Sequence, residues 1–425
     1  MIRRRTLPNG VQVVTEQLDT VRSCAIGVFL QVGSRHERPA ENGISHFLEH
    51  MLFKGTSRRT ARQIADATNY LGGNLNAFTT QELICLHAKT VDSKAPSTLD
   101  LFGEMLIDSI FPPEEIRRER QVVLEEFKMY EDTPDELSVD LFLRNLWPDH
   151  PLGRPVIGSR TSISRLSRAG IQRFLRRVFH PSRLLIVLSG SFDSRACSRA
   201  INQWFGKVEP AGAAAGRLGG RPPRAPRSRR THLRRRIEQT HFCLGVPAPD
   251  RTSPDRFAFS LLNMILGGGM SSRLFQEIRE KRGLAYSIGS FTQSFTDAGC
   301  FAVSGGTSPD TYGEVLRITL EELQRITEEP APEEELVMAR EQLVDSLLMS
   351  LENTESRMLR LADSLLNFGR VVPVDEILTQ LRRVEPDDVR RIAAKYLTGA
   401  SLALASIGPN AKMEPISENL RQVAA

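Results

Sequence analysis

Residues 163–190 are ISRLSRAGIQRFLRRVFHPSRLLIVLSG, and residues 378–408 are LTQLRRVEPDDVRRIAAKYLTGASLALASIG. Both segments predict a helix with apolar positions three and four residues apart, then a turn and an apolar strand that ends at glycine. At one constant offset the two segments align without a gap, and Gly190 falls on Gly408. This agreement indicates that the chain contains two copies of one unit.

The early parts of the two copies also correspond. LEHMLFKGTS at 48–57 aligns with LNMILGGGMS at 262–271, so the apolar pattern of a helix is kept. The second copy lacks three polar groups that the first copy places on this helix: His46, Glu49 and His50. The difference suggests that these groups serve a chemistry specific to the first copy.

A segment rich in Gly, Ala, Pro and Arg separates the two copies. Residues 217–236 hold nine Arg and no acid, so the remainder of this chain of net charge +5 is acidic. A nucleic acid could bind such a stretch, but no aromatic side chains interleave it for base stacking, which favours a solvated linker. We therefore predict two domains, 1–208 and 237–425, joined by a linker at 209–236.

The composition indicates a globular protein that does not span a membrane. Hydrophobic residues make up 40% and charged residues 25% of the 425 residues, and no apolar run is long enough to cross a bilayer. The basic N-terminus has no apolar segment behind it, so we expect no secretory signal. Five scattered cysteines without a CxxC pair favour a reducing compartment, and we expect the cytoplasm.

The sequence HFLEH, residues 46–50, has the spacing of a zinc site on a helix. His46 and His50 are four residues apart, so both side chains project from one side of a helix. Glu49 lies between them in sequence, where a carboxylate can act as a general base on a metal-bound water. H-x-x-E-H is the inverted zinc motif. The alternative, a pair of core histidines, would require several buried hydrogen-bond partners.

A catalytic zinc needs a third protein ligand from elsewhere in the chain. Residues 112–137 predict a long helix, because proline starts a run of strong helix formers. Glu119 and Glu126 are seven residues apart and share one face of this helix. Glu125 and Glu126 compete for the ligand role, since they lie about 100° apart around the axis. Spacing alone does not choose between them, and a charged, solvated helix face is the alternative interpretation.

Several motifs together resemble one protein family, the M16 zinc metallopeptidases, also called the insulinase and pitrilysin family. The resemblance covers nearly the whole chain and is closest to the branch with mitochondrial processing peptidase and short bacterial homologues. The motifs are HFLEH with FKGT after it, GGNLNAFTTQE at 72–82, RERQVVLEEF at 118–127 and GGGMSSRLFQEIREKRGLAYSI at 267–288.

The resemblance implies a fold, a cofactor and an activity. The fold is α+β, with two homologous domains that each consist of an antiparallel sheet and packed helices. The activity is that of a zinc metalloendopeptidase with one zinc per chain. His46, His50 and Glu126 match the family's zinc ligands, Glu49 matches its general base, and Glu119 matches an acidic residue that supports the site.

The resemblance also implies substrate-binding residues. Asn76, Ala77 and Phe78 match an edge strand that pairs with the substrate backbone, a mode of binding that suits broad peptide specificity. Arg282 and Tyr286 match an Arg and a Tyr of the inactive half that contact substrate. We expect peptide substrates and no membrane or nucleic-acid partner.

The resemblance leaves two points open, the partner of this chain and its activity. Two-domain chains of this branch usually pair, so we expect a homodimer, or a heterodimer with an M16-like chain. Some relatives are scaffold subunits without activity, and this is the alternative function.

Cys85 and His87 occupy strand positions where apolar or aromatic residues are expected, and we interpret His87 as a strand residue rather than a ligand.

Overall fold

The computed structural model describes residues 1–72, 74–209, 222–224 and 228–409. The chain forms two compact units, and each is assembled from separate parts of the sequence. Within the described residues, the first contains Met1–Lys128, Arg154–Arg221 and Leu348–Val371. The second contains Met129–Gly153, Pro222–Leu347 and Val372–Ala425, again within the described residues.

The first unit is built on one mixed sheet with the strand order β1-β2-β6-β3-β5-β4. Its neighbours are antiparallel except for β2 and β6, which are parallel. Strands β3 and β6 are the most buried of these strands, because apolar layers cover both of their faces. The strands are β1 Ile2–Thr6, β2 Gln12–Gln17, β3 Ser23–Leu30, β4 Leu75–Thr79, β5 Ile84–Val91 and β6 Leu184–Gly190.

Helices cover both faces of this sheet. The larger core lies on one face, where α1 and α3 contribute buried apolar side chains, and α12 covers the other face. The helices of this unit are α1 Ile44–Leu52, α2 Ala61–Tyr70, α3 Ala95–Ile107, α4 Pro113–Glu131, α6 Arg160–Ser164, α7 Arg168–Val178, α8 Ser194–Trp204 and α12 Thr354–Phe368. The last residues of α4, from Met129 on, are assigned to the second unit.

The second unit repeats this plan. Its sheet has the order β7-β11-β8-β10-β9, with one parallel pair, β7 and β11. The strands are β7 Arg229–Arg234, β8 Thr240–Ala248, β9 Ala285–Ser294, β10 Gly299–Thr307 and β11 Ala403–Gly408. The helices are α5 Pro134–Leu146, α9 Arg256–Gly267, α10 Tyr312–Glu328, α11 Glu333–Ser350, α13 Val374–Arg382 and α14 Pro386–Tyr396. The last residues of α11, from Leu348 on, are assigned to the first unit.

The expected α+β fold with two homologous halves is confirmed by the shared plan of the two sheets. The sheets are mixed rather than purely antiparallel, since each contains one parallel pair. In both units this pair includes the apolar strand that ends the repeated segment, β6 or β11. Each of these strands follows a helix and enters the sheet beside a strand from elsewhere in the chain, so hairpin pairing does not fix its direction.

The two units exchange one helix each, which the linear division into 1–208 and 237–425 does not describe. Helix α5, from the first half of the sequence, packs on the second sheet, where Asn145 donates to the Leu404 carbonyl at 2.8 Å. Helix α12, from the second half, packs on the first sheet, where Arg357 forms a two-point ion pair with buried Glu16. Neither half of the sequence therefore contains a complete unit.

Part of the predicted linker, 209–236, is ordered secondary structure. Residues 229–234 form strand β7, which lies at the edge of the second sheet and pairs with β11. The interpretation of the whole segment as a solvated linker is therefore wrong for these residues. Residues 210–221 and 225–227 lie outside the described part of the chain.

Over the described residues, the structure contains no helix with the length and apolar character needed to span a bilayer. All five cysteines are buried and none forms a disulfide.

Candidate metal centre

Helix α1 carries the HFLEH motif and begins at a glycine that the backbone requires. Gly43 has φ of +92°, and a Cβ atom there would lie 2.7 Å from the carbonyl oxygen of Ile157. The apolar side chains of the helix are buried in the core of the first unit: Ile44, Phe47, Leu48, Met51 and Leu52. This burial fixes the rotation of α1, so that the polar groups of HFLEH share the opposite side.

His46 and His50 meet at their Nε2 atoms. These two atoms are 3.3 Å apart, and the ring centroids are 4.6 Å apart. Burial lowers the pKa of His46 to about 4, with a smaller effect from His50. A neutral imidazole is the form that binds a metal.

Helix α4 brings Glu126 to the same point. Its Oε1 lies 3.5 Å from Nε2 of His46, and its Oε2 lies 3.5 Å from Nε2 of His50. The candidate ligand atoms of these three residues all lie within 4.8 Å of one another. Glu125 points away and pairs with Lys128 at 2.6 Å. The structure therefore brings Glu126, not Glu125, to the histidines.

Glu119 supports the cluster from a position two helical turns before Glu126 on α4. Its Oε1 lies 2.8 Å from Nδ1 of His50, and its Oε2 lies 2.6 Å from Nζ of Lys54. Burial raises the pKa of Glu119, but the hydrogen bonds from His50 and Lys54 outweigh this effect, and the pKa is lowered. An ionised Glu119 accepts the Nδ1 hydrogen of His50 and leaves Nε2 with a free lone pair.

The donor set fits a divalent metal with the chemistry of zinc. Two imidazole nitrogens and one carboxylate oxygen form a ligand set known from catalytic zinc sites. The Oε2 atom of Glu126 is buried and makes no hydrogen bond, and two Nε2 atoms face each other beside it. A cation bound between these three groups would satisfy all of them.

Glu49 lies on α1 beside the cluster and is held by a residue that the sequence did not single out. Thr79, at the end of β4, donates its hydroxyl hydrogen to Oε2 of Glu49 at 2.6 Å. Burial raises the pKa of Glu49, and the hydrogen bond from Thr79 offsets part of this effect. Sequence spacing could not identify Thr79, because its contact with Glu49 depends on the packing of α1 against β4.

The predicted substrate strand is one of the two edge strands of the first sheet. Asn76, Ala77 and Phe78 belong to β4, which among the described strands pairs only with β5. Oδ1 of Asn76 accepts the backbone N–H of Ala77 at 2.9 Å. The other edge of β4 is thus open to pairing with an extended peptide.

Arg282 and Tyr286 lie in the second unit, after the π-helix Phe275–Glu280. Arg282 donates to the Glu277 side chain at 2.5 Å. Tyr286, on β9, is exposed, and the guanidinium of Arg279 lies 4.7 Å from its ring centroid. Their roles toward a substrate stay predictions.

His87 does not join the metal cluster. Its Nδ1 lies 2.7 Å from Oε1 of Glu355, which belongs to the exchanged helix α12. His87 thus connects β5 to α12, in agreement with its interpretation as a strand residue. Cys85 is buried on the same strand.

Glu37 anchors the start of the motif helix and was missed by the sequence analysis. Its buried carboxylate accepts the backbone N–H groups of Gly43 and Ser45, both at 2.8 Å, and the amide of Asn42 at 3.1 Å. A carboxylate at this position satisfies free N–H groups of a helix start and favours its positive end. Glu37 lies too far before the helix for the usual capping spacing to indicate it.

Replacing Glu37 by alanine is expected to lower the free energy of unfolding by about 1–3 kcal/mol, since buried donors lose their acceptor. The midpoint of thermal unfolding measures the effect. Glu41→Ala is the control, because Glu41 forms a partly exposed ion pair with Arg177 at 2.7 Å, which contributes about 0–1 kcal/mol. Equal losses in the two variants would contradict the anchoring role.

Two family models match most of the described chain. Residues 12–160 match the family described as insulinase (peptidase family M16), and residues 165–343 match the peptidase M16 inactive domain. An uncharacterized zinc protease of Streptomyces coelicolor is 41% identical over 413 residues, which cover 96% of this chain and 90% of that protein.

Solved structures share the fold. A protease from Helicobacter pylori superposes with a TM-score of 0.89 at 23% identity, covering 96% of this chain and 99% of that chain. A chain in the structure of Complex III2 from Candida albicans with Inz-5 bound has a TM-score of 0.85 at 18% identity, with 100% of both chains covered. These matches and the full-length relative confirm the resemblance, and the chain belongs to peptidase family M16, with the HFLEH motif in its first half and the inactive domain in its second.

Proposed function

We propose that this chain is a zinc-dependent endopeptidase that cleaves peptides or unfolded protein segments. The observation that carries the proposal is the convergence of His46, His50 and Glu126, with Glu49 on the same helix. The name of the Streptomyces coelicolor relative, an uncharacterized zinc protease, supports it. A scaffold subunit would have no need to keep this group of residues together.

Each residue of the site has a distinct part in this proposal. A zinc ion held by His46, His50 and Glu126 would supply Lewis acidity at a peptide carbonyl and would lower the pKa of a bound water. Glu49 takes a proton from the attacking water and gives it to the leaving amine. Thr79 fixes one oxygen of the Glu49 carboxylate by donating its hydroxyl hydrogen.

The substrate binds as an added strand in this proposal. The open edge of β4, with Asn76, Ala77 and Phe78, offers backbone groups to an extended peptide. Backbone pairing recognises extended conformation rather than particular side chains, so unfolded segments fit better than folded domains. Arg282 and Tyr286 of the second unit are proposed to hold the peptide or to stabilise charge at the reacting carbonyl.

Hydrolysis of a mixed library of quenched peptides tests the proposal. We expect the purified protein to cleave peptides, to lose this activity after dialysis against a zinc chelator, and to regain it with added zinc. Magnesium added at the same concentration is the control, because Mg²⁺ prefers oxygen ligands. Cleavage that persists in chelated, zinc-free protein would contradict a zinc mechanism.

The alternative is a scaffold or processing-partner subunit. The likeness to a chain in Complex III2 shows that this fold also occurs in a protein complex. Zinc binding without cleavage by the purified chain would favour this alternative or a required partner. We propose that such a partner is a second copy or another M16-like chain.

We propose the cytoplasm as the location of this protein. Its buried, unpaired cysteines are compatible with that reducing compartment.

A further inference from the structure

The carboxylate of Glu119 is shared between His50 on α1 and Lys54, which lies two residues after the end of α1. His50 and Lys54 are four residues apart and reach one oxygen each, at 2.8 Å and 2.6 Å. The Glu119 side chain is only 4% exposed, and that of Lys54 is 29% exposed. In the sequence, Lys54 stands four residues after the HFLEH motif, in the FKGT segment.

A buried carboxylate needs a compensating charge and a full set of hydrogen bonds. His50 supplies one hydrogen bond to Glu119 through Nδ1 and turns its Nε2 to the metal position. Lys54 supplies the positive charge and fixes the second oxygen. With both oxygens held, the carboxylate has one orientation, which in turn holds the His50 ring.

We propose that Lys54 is a positioning residue of the zinc site and acts through Glu119. Lys54 holds the Glu119 carboxylate so that Oε1 takes the Nδ1 hydrogen of His50, and Nε2 of His50 stays directed at the metal position. This inference rests on the proposed zinc function and extends it to a residue that touches neither metal nor substrate.

A second pair on α4 shows what an ordinary ion pair looks like in this protein. Lys128 and Glu125 are also 2.6 Å apart, but their side chains are 51% and 65% exposed. Exposed pairs of this kind contribute little, because water screens them. Lys128 is therefore a matched control for Lys54. Both are lysines, both lie 2.6 Å from a glutamate oxygen, and both glutamates belong to α4.

The test measures the zinc dissociation constant by competition with a coloured chelator, together with kcat and KM. We expect Lys54→Met to weaken zinc binding about tenfold, at the lower end of the range for outer-shell residues. The KM for peptide should stay unchanged, Lys54→Arg should restore most of the affinity, and Lys128→Met should match the wild type. Arg restores the effect because one N–H group suffices at a single-point contact.

A double-variant cycle decides whether Lys54 acts through Glu119. In a Glu119→Gln background, Lys54→Met should change zinc affinity by less than about twofold, the usual error of additivity. A full tenfold loss in that background, or unchanged affinity for Lys54→Met alone, would overturn the proposal. If the wild-type protein bound no zinc, the proposed zinc function itself would fail. If the wild type bound zinc and Lys54→Met bound it equally well, only the inference about Lys54 would fail.

Discussion

Glu49→Gln is expected to bind zinc as the wild type does and to hydrolyse peptides about 10²–10⁴ times more slowly, the usual contribution of a general base. Glutamine keeps the size of the side chain and can still accept the hydrogen bond from Thr79, but it cannot take a proton from water. The measurement combines kcat/KM on a quenched peptide with the zinc content of the purified variant.

Glu125→Gln is the matched control, since Glu125 is an exposed glutamate on α4 that pairs with Lys128 and lies away from the histidines. We expect its activity to equal that of the wild type. If Glu49→Gln retained full activity with zinc bound, another group would have to be the base. If it lost zinc as well, Glu49 would belong to the ligand set, and the role of Glu126 would need revision.

Leu361→Ala is expected to destabilise the first unit by about 2–5 kcal/mol, the range for a buried leucine that leaves a cavity. Leu361 lies on the exchanged helix α12, has no exposed surface and packs against the first sheet. Although it stands in the second half of the sequence, its loss should loosen β3 and β6. Hydrogen exchange of the backbone amides, followed by mass spectrometry, locates the effect.

Leu359→Ala on the same helix is the control, because its side chain is 37% exposed and surface changes usually stay within about 0.5 kcal/mol. Strands β8 and β11 of the second sheet provide an internal reference. Faster exchange in β8 and β11, with β3 and β6 unchanged, would mean that α12 belongs to the second unit and that the exchange of helices is wrong.

The sequence alone predicted the features that depend on local spacing. The four-residue interval between His46 and His50 places both rings on one side of any helix, whatever surrounds it. The constant offset between the two repeated segments predicted two related halves, because each copy forms the same helix and strand from its own residues. The seven-residue interval between Glu119 and Glu126 predicted that both carboxylates share one face of α4.

Tertiary structure decided which of these groups meet. Spacing left Glu125 and Glu126 as equal candidates, and the packing of α4 beside α1 directs Glu126 to the histidines. Thr79, Lys54 and Glu37 each contact the motif helix or its supporting carboxylate from a position that no periodic pattern marks. Such contacts depend on the three-dimensional packing of separate elements, which spacing along one element does not specify.

The exchange of α5 and α12 shows the same limit at the level of whole elements. Each helix has an apolar face that must be buried, and the sequence shows that requirement. The sequence does not say which of two similar sheets buries the face, because both sheets offer an apolar surface. Local sequence thus determined the helices, the strands and the HFLEH motif of this protein. The packing of elements that are far apart in sequence decided which helix belongs to which unit and completed the metal site.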